Sequence, residues 1–290
     1  MMLPRQRCVH QPAHKRADLS VDNRLVDRYV IRGGERGYER LQLLARERWP
    51  DTADLLGRAG LAPGMTAVDL GCGGGNVTME IARLVAPALA TGIDMDEVKL
   101  ALARETAIAR GIANIEFRAM NLHDWHEAAA YDVVYARFVL QHLSQPVQML
   151  RQMWEAVRPG GVIIVEDADF DGWACYPPSS GLDFFTRTYA EVIRRSGGDH
   201  SMARKLYAKF MEAGIGRPEV QVNQPVYIDG EGKTLPWTTL EATADLIVAE
   251  AIAGQEDVDA ALRDLKRLAE DQQTLLLGPR IFQLWSRRAE

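Results

Sequence analysis

The stretch VDLGCGGGNVT, residues 68–78, holds four of the chain's 24 glycines within five positions. Apolar Val68 and Leu70 precede these glycines and predict a buried strand. Val77 and Ile81 follow them at helical spacing, so the unit is a strand, a glycine-rich loop and a helix. Such a loop brings a ligand close to the main chain and beside the positive end of a helix dipole.

The composition is typical of a globular protein, with 47% hydrophobic and 26% charged residues in a chain of 290. The net charge of −6 disfavours nucleic acid as the main partner, because neutralisation of phosphates dominates that kind of binding. Cys8, Cys72 and Cys175 form no CxxC pair, which favours a reducing cytoplasm over a disulfide framework. No apolar run reaches membrane-spanning length. We therefore expect a cytoplasmic protein without membrane insertion, and homo-oligomerisation is left open.

Strand and helix patterns alternate along the chain. We predict strands at 66–70, 89–94, 114–120, 131–137, 162–168, 219–228 and within 274–287. We predict helices at 35–49, from Asp51 or Thr52 to Gly60, at 76–86, 96–111 and 147–161, and two more within 239–271. This alternation predicts an α/β fold, a doubly wound and mostly parallel sheet with helices on both faces.

Ligands of such a sheet bind beyond the carboxyl ends of its strands, where the strand order reverses. The glycine loop follows the first strand, and Asp94 ends the second strand 19 positions after Gly75. A carboxylate at that position accepts hydrogen bonds from both hydroxyls of a ribose. Asn121 and Arg137 come after the third and fourth strands. The sequence therefore predicts a nucleoside site at this edge.

The loop departs from the dinucleotide fingerprint G-x-G-x-x-G, because Asn76 occupies the position of the third glycine. Asp69 in the preceding strand would repel a pyrophosphate but suits a cationic ligand such as S-adenosylmethionine. An NAD(P)-dependent oxidoreductase remains an alternative, although the chain has no Tyr-x-x-x-Lys pair.

Five motifs occur in order along the chain, each at a strand end: VDLGCGGGNVT (68–78), GIDMDE (92–97), FRAMNLHDW (117–125), YDVVYARFVLQHL (131–143) and VRPGGVIIVED (157–167). With these motifs the chain resembles the class I S-adenosylmethionine-dependent methyltransferases over roughly residues 25–170. The similarity is greatest to the small-molecule branch akin to ubiquinone and menaquinone C-methyltransferases. It implies a Rossmann-like sheet of seven strands with a final antiparallel strand.

The resemblance divides the chain into five parts. We expect a flexible basic tail (1–24), an N-terminal helical lid (25–57), a core that binds S-adenosylmethionine (58–170), a substrate cap inserted after strand five (171–218) and the end of the sheet with additional helices (219–290).

The resemblance also implies the cofactor contacts. Gly71 and Gly73 would pass under the methionine part, with Asp69 holding the loop or the ammonium group. Asp94 would bind the ribose hydroxyls and Met95 would lie on the adenine face, although a methionine there could also fill the core. The remaining implied contacts are Asn76 at the start of the helix, Asn121 where the family usually has an aspartate, the main chain at Leu122, and the backbone near Arg137.

A glycine-interrupted segment, residues 27–41, precedes the first strand. In related enzymes such a segment folds over the cofactor, with a tyrosine and an arginine near its carboxylate, which here would be Tyr29 and Arg40. A packed N-terminal helix with a glycine turn is the alternative.

For the reaction, we predict that FVLQHL (138–143) begins a helix whose first turn faces the reactive end of the cofactor. Phe138 and His142 lie four positions apart and would share the helix face toward the transferred methyl group. His142 is the first candidate for a general base, because its unperturbed pKa lies near neutral, and Asp167 and Asp169 come next. His123 and His126 lack a third ligand, so we predict no metal site.

Aromatic residues beyond strand five predict a cap over a flat or apolar acceptor, unless they only pack the cap itself. The candidates are Trp173, Tyr176, Phe184, Phe185 and Tyr189. The predicted function is transfer of a methyl group to a small aromatic or apolar acceptor, at carbon, oxygen or nitrogen, in secondary metabolism. A non-catalytic S-adenosylmethionine-binding protein is the other alternative.

Overall fold

The backbone of residues 35–290 is described by a computed structural model, with side chains from Tyr38 onward. Tyr29 and the predicted basic tail lie outside the described residues. The strands are β1 (Ala67–Leu70), β2 (Ala90–Asp94), β3 (Ile115–Ala119), β4 (Tyr131–Arg137), β5 (Val157–Asp169), β6 (Ala174–Tyr176), β7 (Glu219–Asn223), β8 (Val226–Tyr227), β9 (Leu275–Leu277) and β10 (Arg280–Arg287). The helices are α1 (Glu35–Arg58), α2 (Asn76–Val85), α3 (Glu97–Ala109), α4 (Pro146–Ala156), α5 (Ser180–Arg195), α6 (Leu206–Glu212), α7 (Leu235–Ala249) and α8 (Gln255–Glu270).

The main sheet has seven strands in the order β3-β2-β1-β4-β5-β10-β7. β1 pairs in parallel with both β2 and β4, so the strand order reverses between β1 and β4. All four residues of β1 are buried, as expected for a parallel strand covered by helices on both faces. β10 runs antiparallel to β5 and β7. The predicted Rossmann-like fold with a final antiparallel strand is confirmed.

The first helix differs from the prediction of two helices separated near Pro50. α1 is continuous from Glu35 to Arg58 and contains Pro50. A proline inside a helix removes one hydrogen bond and crowds the preceding turn. Here tertiary packing on both sides of Pro50 offsets that cost. Leu43 packs in the hydrophobic cluster that includes α5, α7 and α8, which we call the cap core, and Leu55 and Leu56 pack in the cluster beside β1 and α2.

Three other boundaries also moved. The helix predicted at 147–161 ends at Ala156, and the segment from Val157 to Gly161 already belongs to β5. The strand predicted at 219–228 is divided before Pro225, and the one within 274–287 is divided at Pro279. Proline lacks the N–H that a ladder needs, so each segment contributes to two sheets. The short piece β9 pairs with both β6 and β8 in a three-stranded sheet that the sequence did not predict.

A helical cap covers the carboxyl edge of the main sheet and consists of α5, α7 and α8. Asp264 of α8 joins two of these helices, since its carboxylate accepts hydrogen bonds from Ser179 Oγ (2.8 Å) and Gly181 N (2.7 Å) at the start of α5. The cap therefore unites segments on both sides of β7. Within residues 35–290, no helix is long and apolar enough to cross a membrane.

Candidate active site

A cavity of about 500 Å³ lies between α1, the cap and the carboxyl ends of β1, β2 and β4. Two sets of lining residues face it. We name the first set the cofactor wall after its predicted role; it comes from the sheet edge and includes Asp69, Gly71, Gly73, Asn76, Asp94, Met95, Asn121, Leu122 and Arg137. We name the second set the acceptor wall, also after its predicted role; it comes from α1, the turn after β4 and the cap, and includes Arg40, Arg48, Phe138, His142, Phe170, Trp173, Phe185, Tyr189 and Tyr227. Most of the predicted site residues are thus brought together.

The glycine loop has two structural reasons for its composition. Gly71, Gly73 and Gly75 all have positive φ angles, which side chains rarely adopt. A Cβ atom on Gly71 would lie 2.5 Å from Val139 Cγ2, and one on Gly74 would lie 2.8 Å from the Tyr38 ring. Because the loop has no side chains at these positions, the turn after β4 and helix α1 can pack closely against its backbone. Helix α1 contacts the loop directly. The described part of this segment is a packed helix that also lines the cavity, and its role as a lid over the cofactor stays a prediction.

Asp94 ties the loop to the end of β2. Its Oδ2 accepts a hydrogen bond from Gly73 N (2.8 Å) and its Oδ1 accepts one from Asp96 N (3.0 Å). Each carboxylate oxygen keeps a further lone pair for a ligand hydroxyl. Met95 beside it is 58% exposed, so it does not fill the core and its side chain is open to a ligand.

Asp69 is the buried acid of the cofactor wall. Its Oδ2 accepts a 2.6 Å hydrogen bond from Thr78 Oγ1. Burial raises the pKa of Asp69 to about 7, against the lowering effects of Thr78 and the Arg137 charge. A carboxyl group with this pKa is readily ionised by a cationic ligand, which fits an amino acid that carries an ammonium and a sulfonium.

Two polar residues of the cofactor wall already have protein partners. Asn121 Oδ1 accepts a hydrogen bond from His123 N (3.0 Å) and caps the short turn Leu122–Asp124. Its oxygen has a second lone pair, so an adenine amino group would share this acceptor. Arg137 Nη1 donates to Thr52 Oγ1 (3.3 Å), and its guanidinium lies 5.5 Å from the centre of the Phe138 ring.

The turn after β4 is not the helix that the sequence predicted. Phe138 has a positive φ of 58°, and only residues Leu140–His142 form a single 3₁₀ turn. The expectation that Phe138 and His142 share a helix face at four-residue spacing is therefore wrong. Both side chains nevertheless line the cavity, because the sharp bend at Phe138 redirects the chain.

Asp167 was predicted as a second catalytic group, but its position does not favour that role. The carboxylate is fully buried below the turn, where it accepts hydrogen bonds from Gln141 N and Ala168 N, both 2.9 Å long. It is absent from the cavity lining formed by the described residues. Burial raises its pKa to about 7. Asp167 therefore supports the turn that carries His142. Asp169 is bound by Arg204 and Arg280.

His142 lies in an electropositive environment. Burial, together with the positive charge of Arg40, lowers its pKa to about 4. The imidazole is therefore neutral at physiological pH, and it is a weaker base than a histidine with an unperturbed pKa. Arg40 itself donates from Nε to Thr239 Oγ1 of α7 (2.9 Å), which joins α1 to the cap.

The aromatic side of the acceptor wall is formed by packed rings. Phe170 and Tyr189 stack at 4.6 Å between ring centres, and Trp173 meets Phe185 edge-on at 5.9 Å. These four rings line the cavity and also belong to the cap core. Their packing in the cap is observed, and their contact with the acceptor stays a prediction.

Two predicted substrate contacts lie elsewhere. Tyr176 is 74% exposed on β6. Phe184 lies under Arg187, whose guanidinium is 5.8 Å from the ring centre, and it lines a groove on the outside of the cap. Consecutive helical residues point about 100° apart, so only Phe185 of this pair faces the cavity.

Several lining residues were missed by the sequence analysis, notably Arg48, Gln141, Tyr227 and Thr239. Arg48 continues the helical stripe of Leu41, Leu44 and Ala45, so a helical projection of α1 would have placed it here. Tyr227 carried no local signal, because it reaches the cavity only through the pairing of β8 with β9.

Comparisons with known proteins agree with this geometry. A methyltransferase domain family matches residues 61–196. Trans-aconitate 2-methyltransferase of Delftia acidovorans is 34% identical over 82% of this chain and 93% of its own length. The YcgJ protein of Bacillus subtilis superposes with a TM-score of 0.56 at 15% identity, covering 83% of this chain and 99% of that one. Phosphoethanolamine N-methyltransferase 2 of Haemonchus contortus, solved with S-adenosyl-L-methionine, superposes with a TM-score of 0.52 at 15% identity, covering 83% and 53%.

The chain belongs to the class I small-molecule S-adenosylmethionine-dependent methyltransferases, and S-adenosylmethionine is its cofactor. The alternative of an NAD(P)-dependent oxidoreductase is not favoured.

Proposed function

We propose that this enzyme methylates a small organic acceptor with a flat or apolar body, held between the cofactor wall and the acceptor wall. The observation that carries the proposal is the continuity of the cavity, since the aromatic rings of the cap and the cofactor wall line one space. Enclosed pockets with apolar walls and few polar groups are typical of small-molecule sites. The name of the Delftia acidovorans relative, which refers to trans-aconitate, also favours a small organic acceptor.

The cofactor supplies a methyl group already activated by the positive charge of its sulfonium. In the proposed site, Gly71, Asp94 and Met95 bind and orient the cofactor. Phe138 and the rings of the cap hold the acceptor in line and exclude water, which is the main contribution expected from the protein.

His142 would take up a proton from the acceptor where one must leave. The neutral imidazole faces the cavity, and Asp167 accepts a hydrogen bond from the amide of the preceding residue, Gln141. Acceptors that lose no proton before attack, such as an amine in its neutral form, would need orientation alone.

Transfer of radiolabelled methyl groups tests this proposal. The purified enzyme is supplied with methyl-labelled S-adenosylmethionine and with panels of phenols, small unsaturated acids, aromatic amines and double-stranded DNA. We expect label to appear in at least one class of small acceptor and not in the DNA. Calorimetric binding of S-adenosylhomocysteine without transfer to any acceptor would instead favour the non-catalytic alternative.

A further inference from the structure

The carboxylates that line the cavity are confined to one wall. The three carboxylates among its described lining residues, Asp69, Asp94 and Asp96, all lie at the sheet edge, together with the cations Lys99 and Arg137. The acceptor wall carries Arg40 and Arg48 and contains no acid among those same lining residues. This wall therefore presents guanidinium groups and no carboxylate to the cavity. This polarity is unexpected for a chamber that holds a purely apolar molecule.

Arg48 is the less expected of the two cations because it is only 7% exposed. Its Nη2 donates to Tyr227 Oη (2.9 Å), and its Nη1 lies 3.4 Å from the Asp51 carboxylate. Its Nε is fully buried and has no hydrogen-bond partner among the described residues. Leaving a buried donor without a partner destabilises the protein, so this atom is expected to have a partner in the working enzyme.

A second unsatisfied donor lines the same cavity. Trp173 Nε1 is buried and also has no hydrogen-bond partner within residues 38–290. Trp173 lies between β5 and β6 and Arg48 lies on α1, so the two donors come from segments far apart in the chain. Donors from a guanidinium and an indole both require an acceptor atom, and a guanidinium favours an anionic one.

The cofactor does not account for both arginines. S-adenosylmethionine has a single carboxylate, and we predict that Arg40 binds it. Arg48 is then left with an unpaired donor at the acceptor wall, where Tyr227 flanks it.

We infer that the methyl acceptor carries a carboxylate, which Arg48 binds through Nε with Trp173 Nε1 as an additional donor. This inference rests on the proposed function and names the acceptor's chemical class. The anchored carboxylate orients the molecule and is not the atom methylated, because pairing with a guanidinium lowers the nucleophilicity of its oxygens. The reacting atom lies at the other end of the acceptor, toward Phe138 and His142.

Matched acids and amides test the inference by calorimetry on enzyme saturated with S-adenosylhomocysteine. The probes are trans-cinnamate with trans-cinnamamide, 4-hydroxybenzoate with 4-hydroxybenzamide, and fumarate with fumaramide. We expect at least one acid to bind about tenfold tighter than its amide. Arg48→Gln is expected to weaken binding of that acid by about 10- to 100-fold and to leave binding of the amide unchanged.

Arg46→Gln is the matched control, because Arg46 lies on the exposed side of the same helix and pairs with Glu231. It is expected to keep the full preference for the acid. The inference is overturned if no acid binds better than its amide, or if Arg48→Gln and Arg46→Gln behave alike.

Two conservative variants keep the test valid if Arg48→Gln fails to fold. Arg48→Lys removes Nε but keeps a positive charge, and Trp173→Phe removes only the indole and its N–H. Each is expected to weaken binding of the acid about three- to tenfold more than binding of its amide, and an equal effect on acid and amide in both variants would reject the inference. Should S-adenosylhomocysteine itself not bind, the proposed function fails, while the same acid and amide titrations on the enzyme alone still decide the anion site.

Discussion

The cofactor wall and the acceptor wall face each other across one cavity but are built in different ways. The cofactor wall holds three carboxylates beside Lys99 and Arg137, and it comes from the ends of β1, β2, β3 and β4. The acceptor wall is aromatic and basic, and it combines α1 with cap segments more than a hundred residues away in sequence. In the proposed function, the first wall binds the cationic nucleoside and the second binds the molecule that receives its methyl group. Under that proposal, separate parts of the chain recognise the cofactor common to the family and the individual acceptor.

The largest expected effect is on the methylation rate, and it tests whether His142 acts in catalysis or in cofactor binding. If His142 is the general base, His142→Ala will lower the methylation rate by about 10²- to 10⁴-fold, because the acceptor's proton then has no partner. Cofactor affinity, measured by calorimetry, is expected to stay the same. Since the neutral imidazole is the active form and its pKa is about 4, the rate of the parent enzyme at saturating cofactor will rise with pH near 4 and stay level above pH 5.

A rate within a few-fold of the parent would mean that another group takes the proton or that orientation alone suffices. Loss of cofactor binding together with a lower melting temperature would show that His142 is structural.

The next largest effect is expected on cofactor affinity, from a substitution in the cofactor wall. Asp94→Ala removes a charged acceptor of ribose hydroxyls and also the contact with Gly73 N. We expect cofactor binding to weaken by about 1–3 kcal/mol, which is about 5- to 150-fold in the dissociation constant. Asp94→Asn is a useful control, because it keeps one oxygen acceptor and is expected to lose less. An unchanged dissociation constant in a folded Asp94→Ala variant would refute the ribose role.

The raised pKa of Asp69 predicts a pH dependence of the same wall. Its ionised form attracts the ammonium of the cofactor, so the affinity for S-adenosylhomocysteine is expected to rise between pH 6 and pH 7.5, by up to about tenfold. Binding near pH 7 will release a proton from Asp69, which calorimetry in buffers of different ionisation enthalpy detects. Asp69→Asn will remove the pH dependence, and a variant that retains it would assign the titration to another group.

The smallest expected effect concerns the acceptor wall alone. Phe185→Leu removes ring contacts in the cavity and is expected to raise the KM for the acceptor by about two- to tenfold, more than the KM for the cofactor. Phe184→Leu is the matched control, because its ring lies on the outside of the cap. Equal rises in both KM values for Phe185→Leu would mean that its ring only packs the core.

The parts of the site that sequence patterns predicted are those formed by local chemistry. The glycine loop, Asp94 and Asn121 each follow a strand, and the carboxyl ends of parallel strands meet at one sheet edge whatever the rest of the chain does. Hydrophobic periodicity and turn residues depend only on neighbouring positions in the chain. The sequence therefore predicted the doubly wound sheet and the residues that form the cofactor wall.

The tertiary structure alone decided the orientation of side chains against distant segments. It placed Phe185 in the cavity and its neighbour Phe184 outside, and it buried Asp167 beneath the turn instead of exposing it. It also joined Arg48 to Tyr227, which are 179 positions apart. The rotation of a helix about its axis and the contacts of a buried acid follow from packing over the whole molecule, and no pattern within a short stretch of sequence contains that information.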